Sequence, residues 1–244
     1  MSCLGVQVQP GCCDCVAGVD GSCPNLQLTA ATNCLGTTPK TVCDAVSATP
    51  AQLAKAKILF LGQNGGYTPI FGYAAGTQTN FKNWLTAGGR MWLDMNSCSE
   101  TDAHITAANN FLGFLGSGIQ FGRVGARFQC CNAFPPDCGA WTPRLQAQPI
   151  VTGLTGTIQY AAPGKVTGGT ALALNQLESG SPYAPCNGAS FSFLSAERIG
   201  NGIVFACATQ TVMFNCMTAA PDASVANCEF LRRICKWSVA DMLV

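Results

Sequence analysis

Charge is scarce in this chain: Asp, Glu, Lys and Arg together make up 10% of its 244 residues, where about 25% is usual. The 13 basic and 12 acidic side chains nearly cancel. No basic stripe interleaved with aromatics is left to meet a phosphate backbone, so nucleic-acid binding has no electrostatic support. Long apolar runs are missing too; none approaches the roughly 18 residues of a membrane span. Histidine is reduced to one residue, His104. The opening stretch does not show the pattern of a secretory leader, a basic start followed by about 7–15 apolar residues, and the expectation is that there is none. The first lysine is Lys40, and Gly, Gln, Pro, Cys and Asp interrupt the first twenty residues. With Met1 in place, the expectation is that nothing has been cleaved from the front.

What fills the chain instead is small residues and cysteine. Gly, Ala, Thr, Ser and Asn replace the charges, and such a surface suits a protein packed permanently against neighbours, because interface cores are depleted in charge. The alternative is a weakly charged extracellular domain. The chain is long enough to bury a core without staples, so its 16 cysteines are an addition to a viable core. Cys3, Cys12, Cys13, Cys15, Cys23, Cys34 and Cys43 crowd the first 43 residues. Cys130, Cys131 and Cys138 share one loop, and Cys98, Cys186, Cys207, Cys216, Cys228 and Cys235 are spread over the rest. Cysteine at this density reads as disulfides, and all of these are candidates. The total is even, which allows complete pairing, but with seven cysteines in the first segment full pairing needs at least one bridge from it to the body or to a neighbouring chain. Cys12 and Cys15 also have the C-x-x-C spacing of zinc and iron–sulfur sites. No second such pair and no histidine at ligand spacing accompanies them, so the expectation is neither a metal nor another cofactor.

Residues 1–50, broken by Pro10, Pro24 and Pro39, hold no period for long and read as an irregular cysteine-rich arm. Residues 51–244 read as one α/β domain. Within 47–57, Thr49 can cap a helix and Pro50 suits its first position. "KILFLGQNGG" is a buried strand feeding a glycine-rich loop, and "RMWLD" is a second such strand. Between them Phe81, Trp84 and Leu85 fall at helical spacing, with Gly88-Gly89 as a stop. A further helix carries Ile105, Ala108, Phe111, Leu112 and Leu115 on one side, with Ser99 as its expected cap and Asp102 three residues on. "GIQFG" is expected to be a third strand, so that 57–61, 90–94 and 118–121 are neighbouring, mostly parallel strands. An insertion near 123–146 holds three cysteines and no period. "ERIGNGIVF" reads as a hairpin turning at Gly200-Asn201-Gly202. The last helix, about 225–238, buries Val225, Cys228, Phe230, Leu231, Ile234, Cys235 and Trp237.

This succession resembles the class I glutamine amidotransferase-like superfamily over about residues 55–240. The matching segments are a strand leading to G-x-N-G-G, "FKNWLTAGGRMWLD", "NNFLGFLGSGIQF", "PIVTGLTGTIQY", "TALAL", "ERIGNGIVFACATQTVMFN" and "NCEFLRRICKW". It is most similar to an uncharacterised, non-amidotransferase branch. The resemblance implies a flavodoxin-like three-layer sandwich with a mainly parallel sheet. In catalytic members a cysteine stands in a G-x-C-x-G elbow after a central strand, with His and Glu later in the chain. Here Cys98 follows the strand "RMWLD", but its setting is Asn-Ser-Cys-Ser-Glu, without the glycines a sharp elbow needs. His104 lies only six residues beyond it, and no later histidine exists. Where the branch shows His-Pro, this chain has Gln148-Pro149. The resemblance therefore implies the fold and argues against the chemistry.

Other residues have plainer readings. Ser97 and Ser99 lack a G-x-S-x-G setting and read as helix caps, as does Asp94. "GQNGG" at 62–66 has no P-loop Lys-Ser/Thr and reads as a turn. Cytosolic disulfides of hyperthermophiles would explain many cysteines without a leader, but such chains are rich in Lys and Glu, and this one is poor in both. The expectation is a non-catalytic bacteriophage virion protein, of the tail, baseplate or capsid surface. It would be made in a reducing cytoplasm, released into an oxidising medium, and packed against its own copies and neighbouring structural proteins. The alternatives are an exported or surface-exposed bacterial binding domain and a hydrolase using Cys98.

Overall fold

The computed structural model describes residues 5–8, 40–42, 48–54, 56, 58–62, 73–132, 141–209, 212 and 226–244. In chain order the strands are β1 (Gly5–Val8), β2 (Lys40–Val42), β3 (Ile58–Gly62), β4 (Arg90–Asp94), β5 (Gln120–Gly122), β6 (Arg144–Leu145), β7 (Lys165–Thr167), β8 (Thr170–Leu174), β9 (Ser192–Ile199) and β10 (Gly202–Cys207). The helices are α1 (Pro50–Leu53), α2 (Ala75–Thr86), α3 (Asp102–Leu115) and α4 (Asn227–Lys236). None is long and apolar enough to cross a membrane.

All the strands join one mixed sheet in the order β2-β1-β3-β4-β10-β9-β7-β5, with β8 beside β9 and β6 beside β8. From β2 to β10 every pairing is parallel. From β10 onward every pairing is antiparallel. Two stretches of the segment read as irregular, 5–8 and 40–42, thus extend the parallel half of the sheet. The remainder of residues 1–47 lies outside the described residues, as do the glycines of 63–66.

The expected parallel strand at 118–121 is corrected. It is β5, at the far edge, and it runs antiparallel to β7. The slot beside β4 belongs to β10, whose six residues are all buried. A central parallel strand needs apolar residues facing both ways, and "GIVFAC" supplies them. In β5 only Phe121 is buried, with Gln120 exposed.

Helical periodicity is realised closely. α3 buries Ile105, Ala108, Phe111, Leu112 and Leu115. Its N-cap is Thr101, whose hydroxyl accepts from the His104 N–H at 3.3 Å, so the caps expected at Ser99 and Asp94 are not used. α1 is a single turn closed by a reciprocal Thr49–Gln52 capping box. Tyr73, Phe81 and Phe111 meet edge to face at the α2–α3 contact, with ring centroids 5.1–6.1 Å apart. α4 docks on the sheet through Phe230, which meets Trp92 and Phe205 at 6.1 and 6.3 Å. Buried Arg90 secures the same helix by donating to the carbonyls of Cys235 and Trp237, where a cation complements the C-terminal end of the helix dipole. The β9–β10 hairpin turns at Gly200-Asn201, as its sequence predicts. Gly200 has φ +59° and lies against the Thr86 backbone, so no side chain fits there.

Candidate functional site

Parallel strands place their carboxyl ends along one edge, and a ligand or nucleophile of an open α/β sheet belongs there. Here that edge is Asp94 at the end of β4 and Cys207 at the end of β10, which are register partners. β4 does not turn sharply into its helix. The ladder runs one residue further, with the Met95 N–H donating to the Cys207 carbonyl at 3.0 Å. A turn at 96–100 then separates Cys98 from α3, closed by the Ser99 and Glu100 N–H groups on the Asn96 carbonyl.

The turn is covered. Ser97 and Cys98 are 0% and 3% exposed. The Ser97 hydroxyl donates to the Gly122 carbonyl at 2.9 Å, and the Ser99 hydroxyl to the Asn96 carbonyl at 3.2 Å. Gly164 lies directly on the turn, its N–H donating to Ala208 O at 2.8 Å. A Cβ at this glycine would overlap Ser97 Oγ and crowd the Cys98 amide.

Cys98 is joined to Cys130, with Cα atoms 5.4 Å apart. The loop carrying Cys130 is clamped on the same turn. The Phe128 N–H donates to the Cys98 carbonyl at 3.0 Å and Arg127 Nε to the Ser99 carbonyl at 2.7 Å. Arg123 binds Asp102 at 2.6 Å and also the Glu100 carbonyl. Phe128 holds φ +68° and is 59% exposed, with the Arg127 guanidinium 4.5 Å over its ring. A bulky residue in left-handed backbone is strained, and the cross-link and the clamp keep it there.

The next residue, Cys131, is joined to Cys186 with Cα atoms 5.3 Å apart. Around this bond sits a small apolar cluster separate from the main core, in which Phe191 is the other buried member. Asn132 follows; its N–H donates to Glu178 Oε2 at 2.8 Å, and its Oδ1 accepts from the Tyr160 hydroxyl at 3.2 Å. Tyr160 is fully buried and stacks on Phe193 at 4.1 Å. Burial pushes its hydroxyl far above the ordinary range, so it stays protonated.

Of the other predicted cysteines, Cys228 and Cys235 are disulfide-bonded. They stand seven residues apart on one helix, which is about 10 Å of rise. That exceeds the reach of a disulfide, so the two are not bonded to each other. The predicted candidates Cys3, Cys12, Cys13, Cys15, Cys23, Cys34, Cys43, Cys138 and Cys216 lie outside the described residues. Cys207 departs from the expectation: it is a free, buried thiol. It donates to the Thr209 carbonyl at 3.1 Å. Burial pushes its pKa far up and the neighbouring Asp94 adds to this, against the pull of the Thr209 bond.

His104 puts Nδ1 2.7 Å from Glu100 Oε2 on the first turn of α3. Gln148 binds its neighbours structurally, accepting the Val244 N–H at 3.1 Å and the Val151 N–H at 3.0 Å. Sequence reasoning missed Glu178 and Asn132: Asn132 adjoins Cys131 in the chain without any motif to mark it, and Glu178 reaches Cys131 only through the folded loops.

No protein-family model matches the sequence, and no curated protein does. Solved structures do match in fold. The N-terminal domain of mmIFT52 aligns with TM-score 0.58 at 13% identity, over 96% of both chains. A ThuA-like protein from Bacteroides uniformis aligns with TM-score 0.57 at 10% identity, over 99% of this chain and 94% of that one. A β-galactosidase from Rahnella sp. R3 aligns with TM-score 0.54 at 11% identity, where this chain spans 31% of the enzyme's length. The likeness to ThuA-like proteins supports the class I glutamine amidotransferase-like fold. At such identities it is a likeness of fold alone.

Proposed function

We propose that the chain is a non-catalytic, flavodoxin-like member of the glutamine amidotransferase-like superfamily, used as a disulfide-stapled building block. One observation carries this reading: Cys98, nearest to where catalytic members keep their nucleophile, is bonded to Cys130 and 3% exposed. A disulfide sulfur is not a thiolate and attacks nothing. The turn around it is filled by Gly164 rather than opened for a substrate. The assembly is a bacteriophage virion, at its tail, baseplate or capsid surface, with partners that are copies of this chain and neighbouring structural proteins. The low charge of the chain and its disulfides, which persist in oxidising surroundings, support it. A second reading, an exported or surface-exposed bacterial binding domain, is favoured by Phe128, held strained and 59% exposed.

Two measurements test the proposal. The oxidised and the reduced protein are incubated with an electrophilic glutamine analogue and mapped by peptide mass spectrometry. No selective adduct at Cys98 is expected; a selective adduct, with glutaminase activity that Cys98→Ala removes, overturns the non-catalytic reading. Gradient-purified particles from a lysed culture should contain the chain at a fixed ratio to the other structural proteins. Recovery in the soluble fraction alone overturns the virion reading.

A further inference from the structure

Cys131 comes from one loop and Glu178 and Cys186 from another. Their Sγ atoms and one carboxylate oxygen nonetheless lie within 4.8 Å of one another. Both sulfurs are buried, at 1% and 0% exposure. The carboxylate is held in place, since Oε2 accepts the Asn132 N–H at 2.8 Å. Its backbone is bridged to Asn187, the residue after Cys186, and its carbonyl accepts the Gly188 N–H at 2.8 Å. A second observation points to a missing ligand. Asn132 is 0% exposed, and among the described residues its Nδ2 has no hydrogen-bond partner. Asn132 is the residue after Cys131, and its backbone N–H already binds the Glu178 carboxylate; a buried amide donor left unpaired on this residue calls for an acceptor that the described residues do not provide.

We infer that Cys131, Cys186 and Glu178 form a redox-gated zinc site. In the oxidised chain the two sulfurs are bonded to each other. A dithiol reductant gives two electrons and two protons: the Cys131–Cys186 bond breaks to two thiols while the reductant closes its own disulfide. Zinc then displaces the two protons and takes two thiolates at about 2.3 Å and the Glu178 carboxylate at about 2.0 Å. The fourth position is left for a water, whose oxygen accepts from Asn132 Nδ2. Donor atoms in such a tetrahedron stand about 3.3–3.8 Å apart. The sulfurs part by less than about 2 Å from their bonded distance, a side-chain rotation rather than a refolding. Two thiolates select zinc over the hard cations magnesium and calcium. One cross-link, between the 123–132 loop and the 178–191 loop, is thereby held by metal in a reducing compartment and by a disulfide in an oxidising one. The inference goes beyond the building-block reading and does not depend on it.

The full-length protein is reduced with a dithiol under argon, desalted, and pulse-alkylated with and without equimolar zinc. Peptide mapping resolves Cys131 and Cys186 from the other cysteines. Zinc should slow alkylation of both tenfold or more, and Glu178→Gln should remove most of that protection. The oxidised Glu178→Gln protein should keep its Cys131–Cys186 disulfide and its circular-dichroism spectrum, which establishes that the variant folds. As a second readout, cadmium should give a thiolate charge-transfer band that Cys131→Ser/Cys186→Ser diminishes. Equal alkylation with and without zinc, protection unchanged in Glu178→Gln, or a cadmium band unchanged in the double variant overturns the inference. None of these readouts involves Cys98, so failure here is distinct from failure of the non-catalytic reading.

Discussion

In β4 and β10 every residue is buried, Trp92 and Phe205 stack 6.0 Å apart beneath Phe230, and the cysteine ending β10 is left unpaired. Across the sheet, in the loops following β5 and β8, the buried apolar residues of the local cluster dwindle to Phe191 with two cysteines. There two disulfides, Arg123 on the Asp102 carboxylate, Arg127 and Arg144 on the carbonyls of Ser99 and Asn175, and a Tyr–Asn–Glu chain hold the backbone. Cross-links are not confined to the loops, since the helix over β4 and β10 carries disulfide-bonded Cys228 and Cys235, but in the loops they replace a core. A loop with little apolar surface to bury gains little from the hydrophobic effect, whereas closing 32- and 55-residue separations restricts the unfolded chain substantially.

The sharpest way to break this comparison is to empty the apolar side. Trp92→Ala removes a fully buried side chain between Phe205 and Phe230. It should destabilise the fold by about 3–5 kcal/mol, read from the denaturant midpoint. A loss under about 1 kcal/mol would mean that the parallel half is not the main source of stability.

Cutting the other side should have a different signature. Cys98→Ser/Cys130→Ser should cost about 2–4 kcal/mol, expressed locally. Hydrogen exchange should rise in 123–132 while the amides of β4 and β10 stay protected. Equal loss of protection in both places would show that the two halves open together.

Gly164→Ala probes the seam between them. The new Cβ meets Ser97 Oγ and the Cys98 amide, and overpacking of this kind costs about 1–3 kcal/mol. A thermal melt of the variant, with and without reductant, should show the penalty shrink once the Cys98–Cys130 bond is open and the turn can yield.

The smallest effect is electrostatic. Burial raises the Glu229 carboxyl, but the Thr155 N–H at 2.9 Å and Arg233 at 2.7 Å outweigh it and hold the group below the usual carboxylate range. Its contribution is present above the unfolded value of about 4.3 and is lost as pH falls through the lower folded value. With 33% of the side chain exposed, it amounts to a few tenths of a kcal/mol. Glu229→Gln should therefore melt slightly below the parent protein at pH 7 and level with it near pH 3. A gap that persists at low pH would assign the effect to packing.

Much of this organisation is legible residue by residue. The α3 stripe from Ile105 to Leu115, the α2 pair Phe81 and Leu85, and the Gly200-Asn201 turn all follow from local period and local backbone preference. Other readings went astray where two segments compete for one position. "GIQFG" and "GIVFAC" both read as strands, and only the second is apolar enough on both faces to lie beside β4. Ser99 and Thr101 both fit a helix cap, and the chain uses Thr101 because the 96–100 turn occupies Ser99.

By itself the sequence determined the alternation of strand and helix, the buried faces, the cysteine-rich character and the absence of a second histidine for a Cys–His pair. These are properties of single residues and short windows, which burial and backbone preference act on one at a time. The tertiary structure alone decided that Cys98 takes Cys130, that Cys131 takes Cys186, and that Cys207 takes no partner. It also brought Glu178 to the Cys131–Cys186 bond and onto the Asn132 N–H. A disulfide needs two Cα atoms within about 4.4–6.8 Å. Chain spacing does not encode that distance, because it is set by how distant loops fold back over the same edge of the sheet.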